Sequence, residues 1–286
     1  MPELGAILTA IVTPFDDRLQ INEEAFVRLL HHVVDHGSDG VVAAATTGEA
    51  PTLTDDEQLR LIELAVNELR GRATVVAGTG SNETRHAVHL TERATELGAD
   101  AVISVTPYYN KPNRRGIVRH FQEVARATDR PVLLYNIPQR TGVDMPNDLL
   151  AELAQIEHID GVKQANPADL ALVDGLDLYA GNDDMLREVL DLGGAGGVLV
   201  GSQVVGDRMR IMVDEPERRR EVDAELHDVY EALSVTTNPI PVKAALNLLG
   251  HEVGGLRLPL VEATADEVAG IRAALDRHGL LAATTT

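Results

Sequence analysis

The 286-residue chain has no cysteine and no tryptophan. Without cysteine there is no disulfide framework, no cysteine nucleophile and no thiolate metal site. Aromatic residues amount to only 3%. Lysine is scarce as well, with three lysines (Lys111, Lys163 and Lys243) against 22 arginines. No apolar run approaches the roughly 18 residues of a membrane span. The opening stretch, MPELGAILTAIVTPF, carries an acid and no basic n-region, so it does not read as a signal peptide. A cytoplasmic location is expected.

Basic residues are outnumbered, 25 to 45, which leaves a formal net charge of −20. Such a surface repels nucleic-acid phosphates and anionic lipid, so neither nucleic acid nor membrane is an expected partner. The excess acid either attracts a cationic partner or serves solvation. The second reading is preferred. Abundant Asp and Glu with little Lys is similar to proteins from very salty cytoplasm, where charge repulsion is screened within roughly 3 Å at 1 M salt.

The chain length fits one large domain or two small ones. Eight short, continuously apolar runs recur, within residues 6–15, 39–49, 73–80, 100–110, 130–142, 159–166, 176–184 and 195–205. Amphipathic stretches alternate with them. Examples are INEEAFVRLLHHVVDHG, a helix opening at Thr54 with Glu57 at capping-box spacing, and a helix from Ser81 to Leu97. Strands apolar on both faces, each read as followed by a helix, predict a closed (β/α)8 barrel over residues 1–212, with an open doubly wound sheet as the alternative. Residues 213–286 read as a helical C-terminal extension packed on the barrel, since no linker intervenes.

In such a barrel the active site lies at the C-terminal strand ends. Those ends supply hydroxyls, glycines, one amine and one arginine, and no histidine. The amine is Lys163, in the run IDGVKQAN. Facing the interior it is poorly solvated, which lowers its pKa, and a neutral amine can attack a ketone to form a Schiff base. The competing reading is a snorkelling lysine or a buried ion pair with Glu49 or Asp183. That reading leaves unexplained why a chain so rich in arginine keeps a lysine here, since arginine pairs at least as well. Tyr135 is either a core tyrosine or a proton shuttle beside the Schiff base. Thr46 and Thr47, in TTGE, offer adjacent hydroxyls at a glycine turn. Arg140 is either a bidentate carboxylate clamp or a surface ion-pair partner. The ten histidines are scattered in the sequence, no HExxH or nucleotide-loop spacing occurs, and neither a metal nor a cofactor is expected.

The segments TTGEAPTL, GTGSN, VTPYYNKP, LLYNIPQRTG, GVKQA, AGNDD, LGGAGGV, NPIPVKAAL and LRLPL stand in the order and spacing of the dihydrodipicolinate synthase / N-acetylneuraminate lyase superfamily. From about residue 5 to 260 the chain resembles that superfamily, and within it the dihydrodipicolinate synthase family. The resemblance implies a lyase that condenses pyruvate, held as a Schiff base on Lys163, with L-aspartate 4-semialdehyde in lysine and diaminopimelate biosynthesis. By matched position it implies a proton relay of Tyr135, Thr46 and Tyr109. Thr47 would hold the pyruvate carboxylate and Arg140 the semialdehyde carboxylate, with Gly181 and Val198 lining the pocket. It further implies a homotetramer, a dimer of dimers, in which a neighbouring subunit supplies Tyr109. An aldolase for 2-keto-3-deoxy sugar acids or 4-hydroxy-2-oxoglutarate, and a keto-acid sensor without turnover, are the alternatives. The chain departs from the family pattern at Gln164, Asn166-Pro167 and Asn182. Ala50, Asp55, Gln58 and His86 differ from the polar set of lysine-inhibited members, so weak inhibition by L-lysine is expected. Lys111 and Lys243 are expected to make a surface ion pair and a packing contact.

Overall fold

The computed structural model describes residues 4–281. Eight parallel strands close into a barrel in chain order. They are β1 (Ile7–Ala10), β2 (Gly40–Ala43), β3 (Thr74–Gly78), β4 (Ala101–Val105), β5 (Val132–Asn136), β6 (Ile159–Gln164), β7 (Asp177–Ala180) and β8 (Gly196–Leu199), and β8 pairs back onto β1. The strand period of two divides the apolar residues between two cores. Leu8, Val42, Val76, Ile103, Leu133, Tyr135, Tyr179 and Val198 fill the inside. Ile7, Val41, Val75, Val102, Leu134, Val162 and Leu178 pack outward against the helices. Both faces are dry, hence the continuous apolar runs.

The helical layer follows from local signals. Asn22 caps α1 (Glu23–Asp35), and Thr54 with Glu57 closes a capping box on α2 (Asp55–Leu69). The next helix, α3 (Thr84–Leu97), begins later than its expected start at Ser81. The Glu83 carboxylate accepts the backbone N–H groups of Arg85 and His86 and so sets the N-terminus there. Then come α4 (Arg114–Arg126), the single turn α5 (Pro138–Thr141), α6 (Asn147–Leu153), α7 (Leu186–Leu192) and α8 (Ser202–Asp214). In one place the expected strict alternation fails. Among the described residues no α-helix joins β6 to β7, only a 3-10 turn at Pro167–Asp169. The connection covers residues 165–176, and Asn166 turns the chain by accepting the Ala168 N–H.

Beyond α8 come α9 (Arg219–Leu233), α10 (Ile240–Leu248) and α11 (Ala265–Arg277). On α9, Val222, Leu226, Val229 and Leu233 form one buried stripe at helical spacing. Each such side chain contributes about 1.5–3 kcal/mol when fully buried. α9 and α10 pack on α8 and on each other, α11 packs on both of them, and α9 also meets the turn Asp183–Met185 at the barrel's C-terminal rim. Residues 1–3 and 282–286, which the expected spans 1–212 and 213–286 include, lie outside the described residues.

Candidate active site

Strand register decides where Lys163 points. Its Cα partners are Tyr135 on β5 and Tyr179 on β7. Neighbours in register share a face, and both tyrosines belong to the inner core, so Lys163 projects inward. It is 6% exposed. Its Nζ makes no ion pair or hydrogen bond among the described residues and lies 4.4 Å from the centroid of the Tyr135 ring. Burial pulls its pKa down from 10.5 to about 8. The Asp183 carboxylate acts upward and Arg140 adds to the fall.

The amine borders a cleft of about 540 Å³ at the C-terminal ends of the strands. Thr46, Thr47, Tyr135, Arg140, Lys163 and Gly181, all singled out from the sequence, line it together. Burial pushes the Tyr135 phenol up to about 12, while Arg140 and a hydrogen bond with the Thr46 side chain act the other way. At neutral pH it is therefore an un-ionised phenol, able to donate its proton and to accept one on its lone pairs. Gly181 leaves room that a side chain would take from the backbone. A Cβ there would lie 2.7 Å from Ala165 N.

Two expected residues stand elsewhere. Val198 is buried in the inner core and does not line the cleft, because a β8 residue at this height faces the packed interior below it. Tyr109 is 88% exposed, with left-handed backbone (φ 71°), and does not line the cleft of its own chain. Its N–H reaches Thr141 O at 3.4 Å, which ties this turn to α5 and aims the side chain outward.

Ion pairing also differs from expectation. Glu49 lies against Lys243 at 2.7 Å, not against Lys163. Lys243 is thus a buried ion-pair partner rather than a packing contact, and lysine scarcity alone does not single out Lys163. Lys111 makes no ion pair among the described residues; its backbone is left-handed (φ 46°) and it lies beside Gly142. Asp183 is spent on structure, accepting the N–H groups of Val200 and Gly201 at 2.9 and 3.0 Å, while burial raises its pKa.

Several site residues escaped sequence reasoning. Asn238 Nδ2 donates to Thr47 Oγ1 at 3.0 Å, and its backbone carbonyl accepts from Arg140 Nη2 at 3.1 Å. A residue from the extension thereby holds both Thr47 and Arg140. NPIPVKAAL was visible as a motif, but only the fold brings it over the barrel. His227, Tyr230 and Glu231 of α9 also line the cleft, so the rim has a histidine that the strand ends lack. Nor do the histidines stay scattered in space. His32 stacks near His36 and His251, with centroids 4.6 and 4.2 Å apart, on the outer layer.

Gln164 now has a physical reason. It faces outward, where its Oε1 accepts from Asn136 Nδ2 and Asn166 N at 3.1 and 3.0 Å. Asn136 and Asn166 also donate to Asp144, and Asn166 to Asp169. A glutamate at 164 would add a third carboxylate to this partly buried group; the amide accepts the same bonds without the charge and leaves its Nε2 without a partner among the described residues.

The model of the dihydrodipicolinate synthetase family matches residues 3–278. A 4-hydroxy-tetrahydrodipicolinate synthase from Heliobacterium modesticaldum is 42% identical, covering 97% of both chains. One from Desulforudis audaxviator is 43% identical, covering 98% of this chain and 99% of its own. The crystal structure of a dihydrodipicolinate synthase from Bacillus anthracis superposes with a TM-score of 0.92 at 36% identity, covering 96% of this chain and 99% of that one.

Proposed function

The chain belongs to the dihydrodipicolinate synthetase family, and from that premise we propose how its residues perform the family reaction. The reaction is the condensation of pyruvate with L-aspartate 4-semialdehyde to 4-hydroxy-tetrahydrodipicolinate, in lysine and diaminopimelate biosynthesis. The enzyme is a Schiff-base-forming lyase. The observation that carries the residue assignment is the unpaired, buried Lys163 amine bordering a cleft that also holds Tyr135, Thr46, Thr47 and Arg140.

Lys163, in its neutral form, attacks the pyruvate ketone. The carbinolamine loses water, and removal of a methyl proton gives the enamine that adds to the aldehyde. Each step needs a proton delivered and another removed. Tyr135, with its phenol beside Thr46, supplies this exchange. Thr47 takes the pyruvate carboxylate, and Arg140 at the mouth takes that of the semialdehyde as a bidentate pair. Gly181 keeps the wall beside the lysine low, and Val198 supports the floor.

Tyr109 joins the relay from a second copy of the chain. Its outward, left-handed placement supports this, and a homotetramer built as a dimer of dimers is part of the proposal. So is the division into a barrel (1–212) and an extension (213–286), whose Asn238 would serve the site. Among the described residues no helix is long and apolar enough to cross a membrane. A coupled assay that offers pyruvate with either aspartate semialdehyde or glyceraldehyde tests the substrate assignment. Turnover is expected with the semialdehyde; preference for glyceraldehyde, giving a keto-deoxy sugar acid, would contradict it.

A further inference from the structure

Lys243, on α10, is 1% exposed. Its Nζ donates to Gly255 O at 2.6 Å, lies 2.7 Å from Glu49 Oε1 and sits 4.2 Å from the Phe15 ring centroid. Glu49 is as deeply buried and has left-handed backbone (φ 59°). Its Oε2 accepts the Arg257 N–H at 3.1 Å, and its own N–H closes a turn onto Thr46 O at 3.1 Å. Among the described residues its Oε1 is compensated by the Lys243 ammonium alone, at 2.7 Å. Arg257 is fixed in turn by the Glu57 carboxylate at 2.7 and 2.8 Å and by the Leu19 and Thr52 carbonyls.

A buried ion pair is a weak route to stability, since apolar residues of similar volume often do as well. What this pair does have is position. Glu49 ends the turn that carries Thr46 and Thr47, and Lys243 lies on the helix that begins beside Asn238. We propose that the Lys243–Glu49 pair is a positioning device, which fixes the height of the Thr46–Thr47 turn against Lys163 from the C-terminal extension. Lysine supplies a compact ammonium that sits on the Phe15 ring between one carboxylate oxygen and one carbonyl. The left-handed backbone at Glu49 is held by these polar anchors, and without them the turn relaxes.

This inference rests on the roles proposed for Thr46 and Thr47. Its test compares Glu49→Asp, Glu49→Gln, Lys243→Met and the double variant Glu49→Gln/Lys243→Met by thermal midpoint, kcat and pyruvate KM. The single charge-removing variants are expected to lose stability and activity. The double variant is expected to recover most of the midpoint, because no charge is left buried and unpaired, while kcat stays about 10- to 100-fold low, the usual effect of a displacement near 1 Å at reacting groups. Glu49→Asp keeps both charges but shortens the tether, and is expected to fold with a raised pyruvate KM and a lowered kcat. A double variant or Glu49→Asp with kinetics matching the native enzyme would overturn the inference. If instead the native enzyme formed no reducible adduct with pyruvate, the reading of the site itself would fail.

Discussion

The Lys163 amine lies over the face of Tyr135, 4.4 Å from the ring centroid, because the two residues are Cα partners across β5 and β6. The contact unites the nucleophile with the proton carrier and depends on register alone. The ring shields the amine from water and the hydroxyl serves the chemistry, so the two parts of the tyrosine separate by mutation. Tyr135→Phe keeps the ring and is expected to fold with a nearly unchanged thermal midpoint. Its kcat/KM should fall about 10²- to 10⁴-fold, as for loss of a general acid–base group. Stopped-flow turnover and a thermal melt check both parts.

The lowered lysine pKa has a sign for activity. Only the neutral amine attacks, so kcat/KM for pyruvate is expected to rise with pH through about 8 and then level off. Asp183 holds that pKa up, so Asp183→Asn should move the inflection to lower pH. An inflection near the ordinary value of 10.5 would contradict the burial argument.

The same shift has a sign for stability. The Lys163 pKa falls from 10.5 unfolded to about 8 folded, so between those values the unfolded chain binds more protons and stability rises with pH. Below pH 8 the folded state carries the whole penalty, about 3 kcal/mol at roughly 1.4 kcal/mol per unit. Lys163→Met is therefore expected to be more stable than the native enzyme at neutral pH, with the gap closing between pH 8 and 10.5. Denaturant titrations at pH 7 and pH 10 measure it.

Asn238 meets Thr47 through its side chain and Arg140 through its backbone carbonyl, so truncating the side chain should weaken only the Thr47 contact. Asn238→Ala is expected to raise KM for pyruvate by about fivefold to tenfold, as when one neutral hydrogen bond is lost, and to leave the semialdehyde KM nearly unchanged, because alanine keeps the carbonyl that accepts from Arg140. Arg140→Lys should raise only the semialdehyde KM, since a point charge replaces a bidentate fork. Initial-rate kinetics varying one substrate at a time separate the two.

The net charge of −20 predicts that self-repulsion grows as screening is withdrawn. The thermal midpoint is expected to fall when salt is lowered from 1 M to 0.01 M, across which the Debye length grows from about 3 to about 30 Å. A midpoint insensitive to salt would leave the acidic surface without this explanation.

Much of this was legible in residue order. Alternating apolar runs and amphipathic stretches imply the barrel, and the strand ends imply where Lys163, Tyr135, Thr46, Thr47 and Arg140 meet. Contacts between distant segments were not legible. Nothing in the spacing of Glu49 and Lys243 shows that they pair, because α10 reaches Glu49 only once the extension folds over the rim. The same holds for Asn238 over Thr47. The bare β6–β7 connection was missed because Asn166-Pro167 was read as a family departure rather than as a turn that replaces a helix. Tyr109 follows from the resemblance alone, and its exposure supports the proposed role in a second copy's site.

The central claim is that Lys163 is the nucleophile toward pyruvate. Borohydride reduction in the presence of pyruvate, followed by peptide mass mapping, tests it directly. The account predicts a stable three-carbon adduct on Lys163 alone, absent in a folded Lys163→Arg variant, since arginine keeps the charge but offers no free amine. No adduct, or an adduct on Lys111 or Lys243 that persists in that variant, would contradict it.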